Sequence, residues 1–378
     1  MYHVGSTKHY LIGLMVLFNF ASRQTTLYFT AVISLGIFVT AFTKLSFKDG
    51  RPFMWVTSIF PYVCELEFGN PATETMNAVA LTFSSGLFLK HKLGTSDAYL
   101  SLCQKLGICL GVIFGIFFVM TYSLQGIYNG TNSIDAVMFG VELGLFIAIY
   151  SHYFIRERLD KHVTKVMEGL RGESYRQAKL TFASGFALMF LAVTFEYVIC
   201  MVSFEPKPAW IYQISVKCPV SQQLYELIFA DAVYAEYGLI CYIAGCYAGL
   251  IYDAEHRKGT IRRVNKTSFK AAMVRVLISA AVIVPCFVLP LFLIKDNFGV
   301  FLVMIIKYQA PAFITGYLLY GHFKVVYEKF GLLNNEDTNE GETRLTIGQI
   351  EKKEDFKEIT GRRTHSMYDE GMNDKSTF

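Results

Sequence analysis

The stretch QKLGICLGVIFGIFFVMTYSL, residues 104–124, has the length and apolar character of a membrane-spanning helix. After Lys105 it contains no charged side chain, and a helix needs about 20 mostly apolar residues to cross the hydrocarbon layer. Seven further runs share this character, and a shorter one precedes them. They are residues 25–43, 75–91, 134–155, 178–203, 223–252, 271–294 and 298–321, with the shorter run at 10–21.

These runs predict an all-α, polytopic membrane protein with eight or nine transmembrane helices. Helices satisfy their own backbone hydrogen bonds in lipid, and the alternating ten-residue strands of a barrel are absent from the sequence. The composition agrees: 53% of the 378 residues are hydrophobic and 17% are charged, against about 25% charged in soluble domains. A net charge of +4 does not indicate nucleic-acid binding. The eight cysteines form no C-x-x-C pair, so no metal or other cofactor is predicted.

The charged loops fall into two groups, which predicts how the chain is oriented in the membrane. The basic loops lie around 90–105, 156–179 and 257–270. Short loops rich in Lys and Arg stay on the cytosolic side, or on the matrix side of a mitochondrion. The loops at 44–74, 125–133 and 204–222 are therefore expected to face the lumen or its equivalent.

The composition changes abruptly at about Asn334, where a polar and mildly acidic tail begins. The tail is expected on the side of the basic loops, and it has too few apolar residues to fold alone. A partner surface contacted by residues 334–378 would order it. The sequence thus divides into a short N-terminal segment (1–24), a core (25–155), additional transmembrane helices (156–330) and the tail (331–378).

Three of the loops that are expected to face the lumen carry the polar side chains of a candidate site. The first is KLSFKDGRPFMWV, residues 44–56, directly after the run 25–43. The second is CELEFGNPATETMN, residues 64–77, and the third is LQGIYNGTNSID, residues 124–135. The second and third each lead into a predicted helix.

The order and spacing of these loops resemble the type 2 phosphatidic acid phosphatase superfamily, which shares a helical core with vanadium haloperoxidases. The family pattern is K-x-x-x-x-x-x-R-P, then P-S-G-H, then S-R-x-x-x-x-x-H-x-x-x-D. The R-P-F-M-W-V and C-E segments look like the glucose-6-phosphatase branch. The E-F-G-N-P and M-N-A segments look like sphingoid-base phosphate phosphatases. The resemblance covers residues 25–155.

The first motif is complete in residues and spacing, with Lys44, Arg51 and Pro52. The resemblance implies that Lys44 and Arg51 hold the phosphoryl oxygens, for which the guanidinium fork of Arg is well suited. The alternative is that both are ordinary cations at the end of a helix.

The other two motifs depart from the family pattern. Glu74 stands where the family has its general-acid His. Two neighbouring cations should lower its pKa, so Glu74 is predicted to be ionised and to replace phosphate as the partner of Lys44 and Arg51. In the third motif Gln125 takes the Arg position and Thr131 that of the nucleophilic His. Asp135 keeps the position of the carboxylate that orients this His, and it is expected to cap the following helix.

No histidine falls in the three loops, and a phosphohistidine mechanism requires one. The eight histidines lie at the N-terminus, on the basic side or in the tail. They are His3, His9, His91, His152, His162, His256, His322 and His365. The chemistry of the family is therefore predicted to be lost.

Two further groups of residues leave alternatives open. Ionisable side chains inside spans are costly and indicate function by default. They could form an ion path, or an acidic residue could pair with Lys307; they are Glu142, Glu196, Glu226, Asp231, Glu236 and Lys307. Cys64 and Cys218 are both expected on the luminal side, where a disulfide could form, but the sequence does not decide whether they pair.

The sequence is most consistent with a catalytically degenerate phosphatase-like protein that is a structural or accessory subunit of a membrane complex, for example a mitochondrial respiratory complex. One alternative is an active phosphatase for a phosphorylated lipid or sugar, with Glu74 or Asp135 as acid or base. A second is a lipid-binding or lipid-moving protein. The family resemblance favours the endoplasmic reticulum, whereas the subunit hypothesis allows the mitochondrial inner membrane, with the tail on the cytosolic or matrix side.

Overall fold

The computed structural model describes residues 7–94, 102–167, 173–218, 227–257, 269–293 and 299–332. Within these ranges the secondary structure is helical and no β-strand occurs, which confirms the predicted all-α class. The helices are α1 (Thr7–Phe20), α2 (Arg23–Phe47), α3 (Pro52–Trp55), α4 (Thr73–Gly94), α5 (Leu102–Tyr128), α6 (Ile134–Tyr150), α7 (Arg156–Met167), α8 (Glu173–Ser203), α9 (Pro208–Lys217), α10 (Ala230–Tyr237), α11 (Cys241–Arg257), α12 (Phe269–Leu293), α13 (Val300–Val303), α14 (Ala310–Gly321) and α15 (Phe323–Lys329). The tail 334–378 and Glu226 lie outside the described residues.

Seven helical segments in the described part of the chain are long and apolar enough to cross a membrane. They are Arg23–Trp55, Cys109–Tyr128, Ile134–Thr164, Arg176–Ser203, Ala230–Glu255, Phe269–Pro290 and Val300–Gly321. Each overlaps a predicted span, so the polytopic architecture is confirmed. The predicted span 75–91 is part of α4, which has 22 residues but is more polar than the seven. Helix α1 has 14 residues, or about 21 Å at 1.5 Å per residue, which is shorter than the hydrocarbon layer.

The beginnings of α2 and α6 follow from N-cap serines. Ser22 accepts a hydrogen bond from the backbone N–H of Thr25 at the start of α2. At the start of α6, Ser133 accepts one from Ala136. The prediction that Asp135 caps this helix is therefore wrong. Asp135 lies two residues further on, in the first turn of α6, where its negative charge still interacts favourably with the positive end of the helix dipole.

Close packing of α4 against α6 depends on two glycines that are four residues apart. A Cβ atom on Gly140 would lie 2.9 Å from the carbonyl oxygen of Ala72, and one on Gly144 would lie 2.6 Å from that of Met76. Small residues at this spacing let helix backbones approach in membranes. The pair Gly111 and Gly115 has the same spacing, but nothing lies within 4 Å of a Cβ on Gly111.

We expect Gly144→Ala to lower the free energy of unfolding in detergent by about 1–3 kcal/mol, the usual cost of overpacking. The added methyl would meet backbone atoms of α4, which cannot move away as the end of a flexible side chain can. Gly111→Ala is the matched control, and it should leave stability unchanged or raise it by about 0.5–1 kcal/mol through helix propensity. Equal thermal shifts for the two variants would contradict this account of the α4–α6 contact.

The loops that were predicted to share one side of the membrane meet at one end of the helical bundle, here called the motif end. Cys64 and Cys218 form a disulfide with their Cα atoms 5.8 Å apart, which decides the pairing that the sequence left open. Next to it, Lys217 Nζ donates hydrogen bonds to the carbonyls of Phe53 (2.9 Å) and Val56 (2.6 Å). These contacts fix α9 against the loop of the first motif.

A buried ion pair lies where α2 begins and α11 approaches its end. Arg23 Nη1 is 2.6 Å from Asp253 Oδ2, and the side chains are 3% and 0% exposed. The hydroxyl of Tyr320 donates to the carbonyl of Arg23, so α14 packs at the same place. The pair ties the first transmembrane helix of the core to the additional helices.

Candidate functional site

Arg51 is the centre of the candidate site. It precedes α3 and its side chain is 1% exposed. Nε donates to the carbonyl of Glu67 (3.1 Å), and Nη2 donates to Glu67 Oε1 (2.8 Å). Nη1 donates to the carbonyl of Thr131 (2.9 Å) and to Asn132 Oδ1 (3.2 Å), and it lies 2.6 Å from Glu65 Oε2. Every guanidinium nitrogen therefore has a protein partner.

Lys44 joins the same cluster from the last turn of α2. Its side chain is buried, and Nζ forms an ion pair with Glu67 Oε1. One carboxylate oxygen of Glu67 thus contacts both cations of the first motif. Burial alone would raise the pKa of Glu67, but the charges of Lys44 and Arg51 together outweigh burial and lower this pKa below its ordinary value. Glu67 is therefore an anion in the folded protein.

The sequence prediction assigned the wrong glutamate to the two cations. Glu65 and Glu67, rather than Glu74, form their ion pairs. Glu74 is in the first turn of α4, where Tyr10 of α1 donates a hydrogen bond to its backbone carbonyl. Burial, followed by the negative charge of Glu65, raises the pKa of Glu74 to about 7. The predicted lowering was wrong because burial and the charge of Glu65 outweigh the effect of Lys44 and Arg51 on this pKa.

Glu65 and Glu67 belong to the CELEFG segment, and their position depends on Gly69. A Cβ atom at Gly69 would lie 3.1 Å from Cγ and 3.3 Å from Cα of Arg51. The N–H of Gly69 donates to the carbonyl of Asp49 at 2.9 Å. A side chain at this position would therefore have to push the segment and Arg51 apart by about a few tenths of an ångström. Glu65 and Glu67 precede Gly69 in the sequence and could have been recognised as candidate partners of the two cations. The family pattern does not include them.

In the structure, the residues of the third motif lie in different environments. Thr131 is buried, its hydroxyl donates to the carbonyl of Gly126 (3.2 Å), and its own carbonyl accepts from Arg51. Gln125 is exposed in the last turns of α5. Asp135 is also exposed and lines a cavity at the surface of the protein. Thr131 and Asn132 therefore hold Arg51, and Asn132 is a member of the cluster that sequence reasoning missed.

Lys44, Arg51, Glu65, Glu67, Thr131 and Asn132 are here called the Arg51 cluster. The surface cavity next to this cluster has a volume of about 470 Å³. The first motif contributes Asp49, Gly50, Pro52 and Trp55, and α9 and the residue before it contribute Lys207 and Trp210. The remaining lining residues are Gly69, Asn70, Ser133 and Asp135.

The histidines with defined contacts lie away from this cluster. His162 shares a hydrogen bond with Tyr247 (2.7 Å). The rings of His91 and His152 are 6.2 Å apart, and that of His322 lies 4.9 Å from the ring of Tyr252. Within the described ranges, no group of three or more His, Cys, Asp or Glu side chains could hold a metal ion.

The ionisable residues that were predicted inside spans have separate environments. Tyr197 donates to Asp231 Oδ1 (2.7 Å), and Ser46 donates to Glu196 Oε1 (3.0 Å). Glu142 is exposed on α6. Glu236 lines a small pocket that Glu67 also lines. An ion path and an acidic partner for Lys307 both stay predictions.

One known family matches the part of the chain that contains the three motifs. The family model of the PAP2 superfamily matches residues 25–160 of the 378. This segment contains all three motifs and the Arg51 cluster, so this part of the chain is similar to the PAP2 superfamily. Further candidate transmembrane helices follow it. No curated protein matches the chain. No solved structure matches it either.

Proposed function

We propose that this protein is a catalytically degenerate phosphatase-like membrane protein whose phosphate position is occupied by its own carboxylates. One observation carries the proposal: Lys44 and Arg51 are buried and paired with Glu65 and Glu67. In the phosphatases that the chain resembles, the corresponding cations hold the phosphoryl oxygens.

The charge of the cluster opposes phosphate binding. The two cations and two carboxylates have no net charge, and Glu74 adds a further negative charge when it is ionised. Phosphate binding depends on charge-assisted hydrogen bonds from free cationic groups. An incoming phosphate would have to displace Glu65 and Glu67, and two buried carboxylates without partners would be costly.

The groups that would perform catalysis are also missing from the cluster. A threonine hydroxyl needs an adjacent base before it becomes a nucleophile. The Thr131 hydroxyl instead donates to a backbone carbonyl. Asp135 lines the surface cavity and is exposed. In the family that the chain resembles, the corresponding carboxylate orients a histidine, and the three motif loops contain no histidine.

A structural or accessory role agrees with the apolar surfaces of the transmembrane helices. Helices α5, α8 and α12 expose large apolar side chains such as Phe117, Leu188 and Leu277, which suit lipid or the helices of partner proteins. The polar composition of residues 334–378 is compatible with binding to a protein partner. The endoplasmic reticulum and the mitochondrial inner membrane are both compatible with this role, and partners that co-purify with the native protein would identify the complex.

One feature favours the second candidate function, an active phosphatase with altered chemistry. The pKa of Glu74, raised to about 7, suits a general acid near neutral pH, when proton transfer is most effective. Glu74 occupies the family position of the residue that protonates the leaving group.

The test measures vanadate binding and phosphate release from lipid and sugar phosphates by the protein in detergent. We expect no phosphate release and only weak vanadate binding from the wild type. The Glu65→Gln/Glu67→Gln variant should bind vanadate on the order of tenfold more tightly, because Lys44 and Arg51 would then be free to bind an anion. Glu157→Gln, in an exposed ion pair, is the control and should bind vanadate no better than the wild type.

Two outcomes would overturn the proposal. Phosphate release by the wild type that Glu74→Gln abolishes would favour the active phosphatase. An unchanged vanadate affinity in the double glutamine variant would show that Lys44 and Arg51 are not a latent anion site.

A further inference from the structure

The two tryptophans of the chain both line the surface cavity at the motif end. The sequence contains only Trp55 and Trp210, and they lie on separate segments that the fold brings together. Trp55 Nε1 donates to the carbonyl of Gly50 (3.3 Å), and a Cβ atom on Gly50 would meet the indole of Trp210 at 2.8 Å. Both indoles are therefore held against the same short piece of backbone.

The cavity already shows that one of these rings accepts a cation. Lys207 Nζ lies 5.2 Å from the centre of the Trp210 ring, within the range of a cation–π interaction. Lys207 is exposed, and its flexible stem would let the ammonium group move into solvent. A ligand with a cationic group could then take its place over the indole.

The charges that line the cavity favour a cation over an anion. Asp49 and Asp135 contribute two carboxylates, against the single positive charge of Lys207. Asp49 Oδ2 accepts a hydrogen bond from Asn70 Nδ2 (3.0 Å), which orients the carboxylate. The other amide atom, Asn70 Oδ1, is a buried acceptor without a hydrogen-bond partner among the described residues. Acceptors and indole rings thus line the cavity, and the cations of the first motif are neutralised nearby.

We propose that this cavity binds an organic ammonium cation of the choline type. A quaternary ammonium group donates no strong hydrogen bond, and aromatic faces together with carboxylates recognise it. A volume of about 470 Å³ lies within the range of small-ligand pockets, roughly 300–1,000 Å³. The same chemistry recognises a free cation and the head group of a choline lipid. The site is separate from the Arg51 cluster and does not depend on the proposed function.

Intrinsic fluorescence tests the proposal because the chain's two tryptophans are both at the cavity. The full-length protein in phosphatidylglycerol bilayer discs is titrated with choline, and a saturable change in tryptophan emission is expected. The neutral isostere 3,3-dimethyl-1-butanol should produce a much smaller change. Asp49→Asn and Asp135→Asn should each weaken choline binding by roughly threefold or more, and Lys207→Gln should strengthen it.

Discs of phosphatidylcholine distinguish the two sources of the ligand. If a lipid head group occupies the cavity, the response to free choline should disappear in these discs, whereas a site for a free cation should respond equally in both lipids. Glu157→Gln, far along the chain on α7, serves as the control and should bind choline like the wild type. The proposal fails if phosphatidylglycerol discs show no saturable change, if the neutral isostere binds as well as choline, or if both Asp variants keep wild-type affinity.

Discussion

Arg51→Ala is expected to lower the free energy of unfolding by about 3–5 kcal/mol, the typical cost of breaking a buried ion pair by removing one partner. The change leaves Glu65 and Glu67 without their guanidinium partner, and it removes the donor to the Thr131 carbonyl and to Asn132. Thermal or denaturant unfolding in detergent measures the effect.

The control for this variant is Lys161→Ala, because Lys161 and its partner Glu157 are 71% and 74% exposed. No shift in stability is expected there, since exposed pairs contribute little. The double variant Arg51→Met/Glu67→Gln should recover part of the loss, because it removes one buried carboxylate that Arg51→Ala leaves unpaired. If Arg51→Ala unfolds like the wild type, the cluster does not hold the motif end together.

The same cluster should make the free energy of unfolding depend on pH in the acid range. The folded-state pKa of Glu67 is lower than its ordinary value of 4.5. A carboxylate with a lowered pKa stabilises the fold above the unfolded-state pKa, and this contribution is lost as the pH falls through the folded-state value. The loss should therefore occur below pH 4.5, and it should be smaller in Glu67→Gln.

Asp253→Asn should have an effect of similar size, about 3–5 kcal/mol. The substitution keeps the volume of the side chain, but it leaves the charge of Arg23 buried without its carboxylate. Since this pair joins α2 to α11, we expect the transmembrane helices to separate at a lower denaturant concentration.

A nearby residue provides the matched control for Asp253. Glu255→Gln, two residues further along α11, removes a pair with Lys179 that is 43% and 35% exposed, and it should cost less than about 1 kcal/mol. Replacing both members of the buried pair, as Arg23→Met/Asp253→Leu, should be milder than Asp253→Asn alone. Equal unfolding of Asp253→Asn and Glu255→Gln would contradict the assignment.

The motif spacing predicted correctly that Lys44, Arg51 and Thr131 lie close together, and it predicted the ionic partner of the two cations incorrectly. Spacing along the chain identified Lys44, Arg51 and Thr131, and the structure brings all three together. It did not identify Glu65 and Glu67 as partners, because no local pattern records which of three nearby glutamates faces a given cation. The pKa of Glu74 was predicted in the wrong direction because its burial, the largest cause of the raised pKa, depends on the tertiary structure.

The sequence by itself determined the all-helical membrane architecture, the grouping of the motif loops and the absence of histidine from these loops. These properties depend on the composition and order of short segments, since a run of apolar residues specifies a membrane helix without reference to the rest of the chain. Only the tertiary structure decided the pairing of Cys64 with Cys218, the neutralisation of Arg51 and the meeting of Trp55 with Trp210 at one cavity. Each of these is a contact between segments that are distant in sequence or that have several possible partners. The packing of the helices selects one of these partners.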